Sequence, residues 1–307
     1  MNYILLIIGF IMLIKGADWF VDSASFIAKK FGIPSIIVGM TIVAMGTSAP
    51  EFSVSLQSSI AGMNDMSIAN VVGSNIFNLL VVLGISAMFG KLKITKYRDV
   101  QMTLAVSILL MSFAIGGYLS IIEGLVLLCA FVTYIILMIK GRDKTEIVEK
   151  EVEEEISYKT PLFFRITNGL IGLGAIVYGG DLVVNSASAV ALSLGMSENL
   201  VGLTIVAIGT SLPELVTSVM AMKKGENDIA VGNVLGSNIF NMLLIIGSAA
   251  IINPMTVSMF AMIDLMFIIV TLLIFIALTY KKQEVNKWNG IIFIIIYVSY
   301  IIYTIIR

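Results

Sequence analysis

Ala44-Met45-Gly46-Thr47-Ser48-Ala49-Pro50-Glu51 interrupts a run of Ile, Val, Met and Leu long enough to cross a bilayer, and Ala207-Ile208-Gly209-Thr210-Ser211-Leu212-Pro213-Glu214 repeats the interruption. Each copy sets a carboxylate, two hydroxyls and a proline where hydrocarbon accepts none of them cheaply. Thr47 and Glu51 are four residues apart and share a helix face, with Ser48 beside them. Pro50 has no N–H to give the carbonyl of Gly46, and its ring crowds that carbonyl. The helix is therefore expected to kink or unwind, turning backbone oxygens toward a cavity. Pro213 and Gly209 predict the same in the second copy.

Composition sets the class around these stretches. Of 307 residues, 58% are hydrophobic and 13% charged, with a mean hydropathy of +1.01. Soluble domains carry about 25% charged residues, so the chain reads as an all-α integral membrane protein. A net charge of -1 gives no hold for nucleic acid. The absence of histidine and the single Cys129, in an apolar run, remove the usual ligands of zinc, copper and haem. No cofactor is expected, and any metal must be held by oxygen. Met1-Asn2-Tyr3 carries no basic flank, so the first span is expected to be retained rather than cleaved.

Ten stretches supply the roughly 20 apolar residues that a bilayer core requires, near 3–28, 36–61, 68–88, 99–117, 119–139, 161–190, 200–222, 229–252, 257–279 and 288–306. The first and sixth are the longest, which predicts tilt. Seventeen of the 19 lysines and arginines fall in the odd-numbered loops between spans; the other two are Lys15 and Arg307. The positive-inside rule then puts both termini outside the cell membrane. An internal repeat runs at one offset, 163, without a gap: Gly16 matches Gly179, Asp18 matches Asp181, Thr47 matches Thr210, Glu51 matches Glu214 and Asn78 matches Asn241. Five spans per repeat is an odd number, so the halves enter the membrane from opposite sides, as in many secondary transporters. The expected organisation is a first five-helix repeat over 1–140, an acidic cytoplasmic linker over 141–160 and a second repeat over 161–307.

Spans three and eight share an identical hexapeptide, Gly73-Ser74-Asn75-Ile76-Phe77-Asn78 and Gly236-Ser237-Asn238-Ile239-Phe240-Asn241. Asn70, Ser74 and Asn78 form a polar stripe down one helix face, as do Asn233, Ser237 and Asn241. Hydroxyls and amides in membrane helices often only bond neighbouring helices. Two carboxylates are different, since each costs about 2.5–3.5 kcal/mol at mid-membrane on insertion scales and marks function. Together these groups offer only hard oxygens, enough for the six to eight that Ca²⁺ takes. Their two charges would neutralise one Ca²⁺ or two Na⁺. A cation site follows.

Paired Gly-Thr-Ser-x-Pro-Glu motifs, each followed by Gly-Ser-Asn-Ile-Phe-Asn in an inverted five-plus-five repeat, resemble the cation/calcium exchanger superfamily, above all its prokaryotic sodium/calcium exchangers. The resemblance covers essentially the whole chain. It implies antiport of Na⁺ against Ca²⁺ by alternating access, with the first and sixth helices sliding past a fixed core. The ligands it implies are Thr47, Ser48, Glu51, Ser74 and Asn78, with Thr210, Ser211, Glu214, Ser237 and Asn241, joined by the carbonyls of Ala44 and Ala207. The departure is Asn at both 78 and 241, where many such exchangers have one Asp. The expected partners are inorganic cations and the lipid bilayer.

Two other functions use the same residues. A proton-coupled Ca²⁺/cation exchanger would carry protons on Glu51 and Glu214. An intramembrane enzyme would use them as acid and base, but the chain lacks histidine and any soluble catalytic domain. Asp18 and Asp181, repeat mates, are expected to be structural near helix ends, bonding backbone or a residue such as Lys15. Glu123 and Asp264 are expected to be interfacial or locally paired.

Overall fold

A computed structural model describes residues 2–95, 97–140, 161–196 and 207–306. The acidic linker, 141–160, and the start of the seventh expected span, 197–206, lie outside the described residues. The described chain is helical: α1 (Asn2–Phe31), α2 (Ser35–Thr47), α3 (Ala49–Ile60), α4 (Asn64–Ser86), α5 (Tyr97–Ala114), α6 (Ile121–Lys140), α7 (Leu162–Ser193), a single turn at Ala207–Gly209, α8 (Leu212–Lys223), α9 (Asn227–Ile252), α10 (Met259–Thr279) and α11 (Lys287–Ile306). Seven of these, α1, α4, α6, α7, α9, α10 and α11, are long and apolar enough to cross a membrane, and α2 with α3 forms an eighth span bent by 50°. α5 carries Arg98 and Asp99 in its first turn and is more polar than those seven.

α4 and α9 form the centre. Most of the residues in their apolar stretches are buried within the protein, against about a fifth of those in α6 and α11, which lie at its periphery. Both centre helices contain a π-helical turn, Asn78–Val82 in α4 and Asn241–Ile245 in α9, and each turn opens on a conserved-offset asparagine of the repeat. A third π-turn, Gly39–Val43, lies in α2. Such turns rotate the residues that follow them and recur at functional positions.

α1 and α7 run 30 and 32 residues, about 45 and 48 Å at 1.5 Å per residue. That exceeds the hydrocarbon thickness of about 30 Å, so both tilt or protrude. They pack along each other at backbone contact. A Cβ on Gly16 would lie 2.6 Å from the Gly172 carbonyl oxygen, and one on Gly9 would lie 2.9 Å from that of Gly179. Gly9 and Gly172 stand 163 apart, as do Gly16 and Gly179, so the two close approaches are repeat mates. Glycine at all four positions brings the backbones together in the manner of membrane helix pairs.

Two short antiparallel pairings close the ends of the bundle. β1 (Leu92–Lys93) pairs with β4 (Glu284–Val285), and β2 (Tyr118–Leu119) pairs with β3 (Met255–Thr256). They flank α5 in sequence and so lie at its opposite ends. The β1–β4 end carries the basic turns, joined by Lys91–Glu284 at 3.2 Å, Lys29–Glu226 at 3.1 Å and an amide exchange between Asn227 and Lys93. The β2–β3 end is tied by Asn64 donating to Pro254 O and Asn253 donating to Ser59 O. No lysine or arginine lies in its turns, 61–63, 115–120 and 253–258.

The expected spans differ from the helices mainly at 115–120. Residues 115–117 of the fourth span and Leu119 of the fifth form a turn and strand β2 instead, because Gly117, at φ +70°, reverses the chain and its carbonyl accepts from Val257 N–H. Hydropathy alone cannot separate such a turn from helix. The third span ends at Ser86 rather than 88, and begins at Asn64 rather than 68.

Candidate functional site

The bend in the α2–α3 span falls at Ser48, whose φ of -83° and ψ of 9° leave the helical range; Ser211 repeats it at -93° and 6°. Pro50 and Pro213 sit in the first turn of the helix that follows, where a missing N–H is harmless. The break thus lies one to two residues beyond Gly46. It places each serine at the junction of two helices and carries each glutamate into the first turn of the second.

From that geometry the two motifs reach across to each other. Ser48 O–H donates to Glu214 Oε1 at 2.6 Å, and Ser211 O–H donates to Glu51 Oε1 at 2.9 Å. Each serine therefore belongs to one repeat and serves the carboxylate of the other. Ser74 adds a long contact to Glu51 Oε1 at 3.4 Å, and Ser237 one to Ala44 O at 3.4 Å. Thr47 O–H lies near Val43 O, Ala44 O and Asn233 Oδ1. Glu51, Glu214, Ser48, Ser211, Asn78, Asn241 and Thr47 are fully or almost fully inaccessible, and Thr210 is buried.

The amides form a second layer. Asn75 Nδ2 donates to Asn238 O and Asn238 Nδ2 to Asn75 O, both at 3.3 Å. Asn78 Nδ2 donates to Asn238 Oδ1 at 3.2 Å, and Asn241 Nδ2 to Asn75 Oδ1 at 3.0 Å. These bonds consume the nitrogen end of Asn78 and Asn241 and leave their oxygens over. Asn70 Nδ2 donates to Glu51 O and Ser55 Oγ, while Asn233 Nδ2 donates to Glu214 O and Ser218 Oγ. Every one of these contacts has its mate 163 residues away.

What remains is a set of buried oxygens with no hydrogen-bond partner: Glu51 Oε2, Glu214 Oε2, Asn78 Oδ1, Asn241 Oδ1 and the Thr210 hydroxyl. Among the described residues neither glutamate is in an ion pair, and no group of three or more His, Cys, Asp or Glu converges anywhere. Buried acceptors without donors, and buried carboxylates without a counter-charge, are costly unless something cationic meets them. The arrangement is suited to a small hard cation.

The structure therefore brings together Thr47, Ser48, Glu51, Ser74, Asn78, Thr210, Ser211, Glu214, Ser237 and Asn241. The Ala44 carbonyl is at the site but already accepts from Ser48 N–H and from the Thr47 and Ser237 hydroxyls. Ala207 is placed in its helical turn, and its side chain lies outside the described set. Sequence reading missed Asn75 and Asn238, although both stand in the shared hexapeptide, and the supporting roles of Asn70 and Asn233. Asp18 does not bond Lys15. Its carboxylate pairs with Lys224, across the fold. Glu123 is locally satisfied: Ser120 N–H donates to its Oε2 at 2.7 Å and Glu123 N–H to Ser120 Oγ, a capping box at the start of α6.

Comparison with known proteins gives the family. The sequence matches the sodium/calcium exchanger protein family over residues 1–140 and 168–306. The chain belongs to that family. Among relatives of this sodium/calcium exchanger family member, the sodium/calcium exchanger MaX1 of Methanosarcina acetivorans is 32% identical, covering 98% of this chain and 97% of its own. The inner membrane protein YrbG of Escherichia coli is 37% identical over 81% of this chain and 79% of its own. The fold superposes on the sodium-calcium exchanger NCX_Mj soaked with 10 mM Na⁺ and 10 mM Sr²⁺ with a TM-score of 0.85 at 30% identity, covering 97% of this chain and 96% of that one. A family of exchangers places this member among membrane transporters rather than catalysts.

Proposed function

We propose that the protein is a secondary active antiporter that exchanges Na⁺ for Ca²⁺ by alternating access. Its architecture is ten transmembrane helices in two inverted repeats, 1–140 and 161–307, joined by a cytoplasmic linker at 141–160. Both termini are extracellular. The transported ions are held by Thr47, Ser48, Glu51, Ser74, Asn78, Thr210, Ser211, Glu214, Ser237 and Asn241, with backbone oxygens of Ala44 and Ala207.

One observation carries this reading: two buried glutamates, each clasped by the other repeat's serine, leave one carboxylate oxygen apiece unpartnered beside two unpartnered amide oxygens. The two formal charges match one Ca²⁺ or two Na⁺, and the four unpartnered oxygens, with hydroxyl and backbone oxygens of the same residues, approach the six to eight that Ca²⁺ takes. Ca²⁺ and Na⁺ therefore compete for one site, and competition at one site is the thermodynamic basis of exchange. The paired contacts at an offset of 163 and the basic residues at the β1–β4 end support the inverted topology and its orientation.

Equilibrium binding tests it. Purified protein should bind ⁴⁵Ca²⁺, and Na⁺ should displace it with a Hill coefficient above one, because more than one Na⁺ replaces each Ca²⁺. Binding indifferent to Na⁺ would contradict the proposal.

A further inference from the structure

The repeat is nearly symmetric at the site and strongly asymmetric at one edge. At the basic end, Lys224 Nζ, just past α8, reaches Asp18 Oδ1 at 2.7 Å, Asp22 Oδ1 at 2.6 Å and Asp18 O at 3.1 Å on α1. Two residues on, Glu226 Oε1 accepts from Ser25 Oγ at 2.5 Å and from Lys29 Nζ at 3.1 Å, again on α1. Partial burial pulls the Lys224 ammonium down, but the two aspartates outweigh it and hold its pKa above the ordinary lysine value.

Subtracting the offset of 163 shows what the other half has instead. Ala61 stands for Lys224 and Met63 for Glu226, while Asn185 stands for Asp22 and Leu192 for Lys29. Ser188, the mate of Ser25, has a buried hydroxyl without a partner. Packing follows the chemistry: α1 lies closely along α8, whereas among the described residues α7 scarcely touches α3. The difference reaches the site. Thr47 O–H meets Asn233 Oδ1 at 3.0 Å, joining α2 to α9, but the mate hydroxyl of Thr210 is unpartnered.

We infer that Lys224 and Glu226 are positioning residues for exchange, a clasp encoded in one repeat only, which holds α1 against α8 and favours the conformation closed at the basic end. The inference rests on the alternating-access reading above. If both repeats were alike, the two orientations would be close to equal in energy. The clasp breaks that equality, so reorientation toward the basic end must first release Lys224 from both aspartates. A bias of this kind divides apparent affinity unequally between the two faces, because a site open for a small fraction of the time binds with its affinity reduced by that fraction.

The test uses full-length protein with Cys129→Ser. Spin labels at Phe31→Cys, on the end of α1, and Lys282→Cys, in the turn after α10, report the opening of the basic end by double electron–electron resonance. Both sites are exposed. Lys224→Met should add a second distance population, Lys224→Arg should restore the single one, and Asp22→Asn should lie between. In proteoliposomes, Lys224→Met should lower the KM for Ca²⁺ at the basic face and raise it at the opposite face, by about threefold or more. An unchanged distance distribution in both Lys224→Met and Asp22→Asn overturns the clasp, as does a Lys224→Arg variant indistinguishable from Lys224→Met. A shift in distances without any Na⁺-dependent uptake by the unsubstituted protein would leave the clasp standing and remove the exchange reading on its own.

Discussion

Glu51 and Glu214 each keep one oxygen on a serine of the opposite repeat and one oxygen over. Replacing either by Gln preserves shape and removes a charge where no basic residue compensates. Loss of one partner from a buried charge contact costs about 2–5 kcal/mol, so Ca²⁺ affinity in Glu51→Gln or Glu214→Gln should fall by roughly 30-fold or more, with thermal unfolding little changed. Isothermal titration decides this; wild-type affinity in both variants would remove the carboxylates from the site. Carboxylates must also be deprotonated to take a metal. Lowering pH therefore raises the apparent KM for Ca²⁺, by up to about tenfold per unit for each proton displaced, and a KM flat from pH 8 to pH 5 would contradict this. These residues were legible in the chain because a carboxylate inside an apolar run has no structural excuse. Asn75 and Asn238 were less so: an amide in a membrane helix has many innocent partners, and only their mutual hydrogen bonds reveal that they orient Asn78 and Asn241.

At the scale of elements, α1 and α7 meet through glycines at backbone contact. A methyl at Gly16 would sit 2.6 Å from Gly172 O, so Gly16→Ala should force the helices apart at a cost of about 1–3 kcal/mol and slow transport. Gly174 offers the control, since a Cβ there meets nothing within 4 Å, and Gly174→Ala should be neutral or stabilising by up to about 1 kcal/mol. Thermal unfolding of the two variants in detergent separates them; equal losses would mean the crossing is not tight. Of the ten expected spans, hydropathy located the seven apolar helices and the bent α2–α3 span, apart from the turn at 115–120 and the ends of α4; α5 is a shorter and more polar helix than those seven, and the start of the seventh expected span lies outside the described residues. The π-turns at Asn78 and Asn241 were not, because a one-residue change of helical register leaves no mark on composition. The break was legible from Gly46 and Pro50, between which it falls at Ser48; what they did not show is that the serine hydroxyl there bonds the carboxylate of the other repeat.

For the whole molecule, among the described residues, five apolar helices and one bent span surround the two central helices α4 and α9, whose polar faces meet. The basic turns gather at one end and none at the other, a distribution that sequence showed as a pattern of loops and the fold shows as one surface. An impermeant maleimide applied to intact cells in the Cys129→Ser background should label Asp65→Cys, at the end without basic residues, and spare Lys282→Cys; the reverse pattern would invert the topology. What sequence could not supply was the tertiary pairing of Asp18 with Lys224, 206 residues away, since Lys15 was the nearer basic group along the chain. The account stands or falls on coupling. ⁴⁵Ca²⁺ uptake into proteoliposomes loaded with Na⁺ should exceed that into vesicles loaded with choline at matched pH and voltage, and should vanish when the Na⁺ gradient is collapsed. Uptake that ignores Na⁺ and follows a pH gradient would contradict Na⁺/Ca²⁺ exchange and make the same glutamates proton carriers.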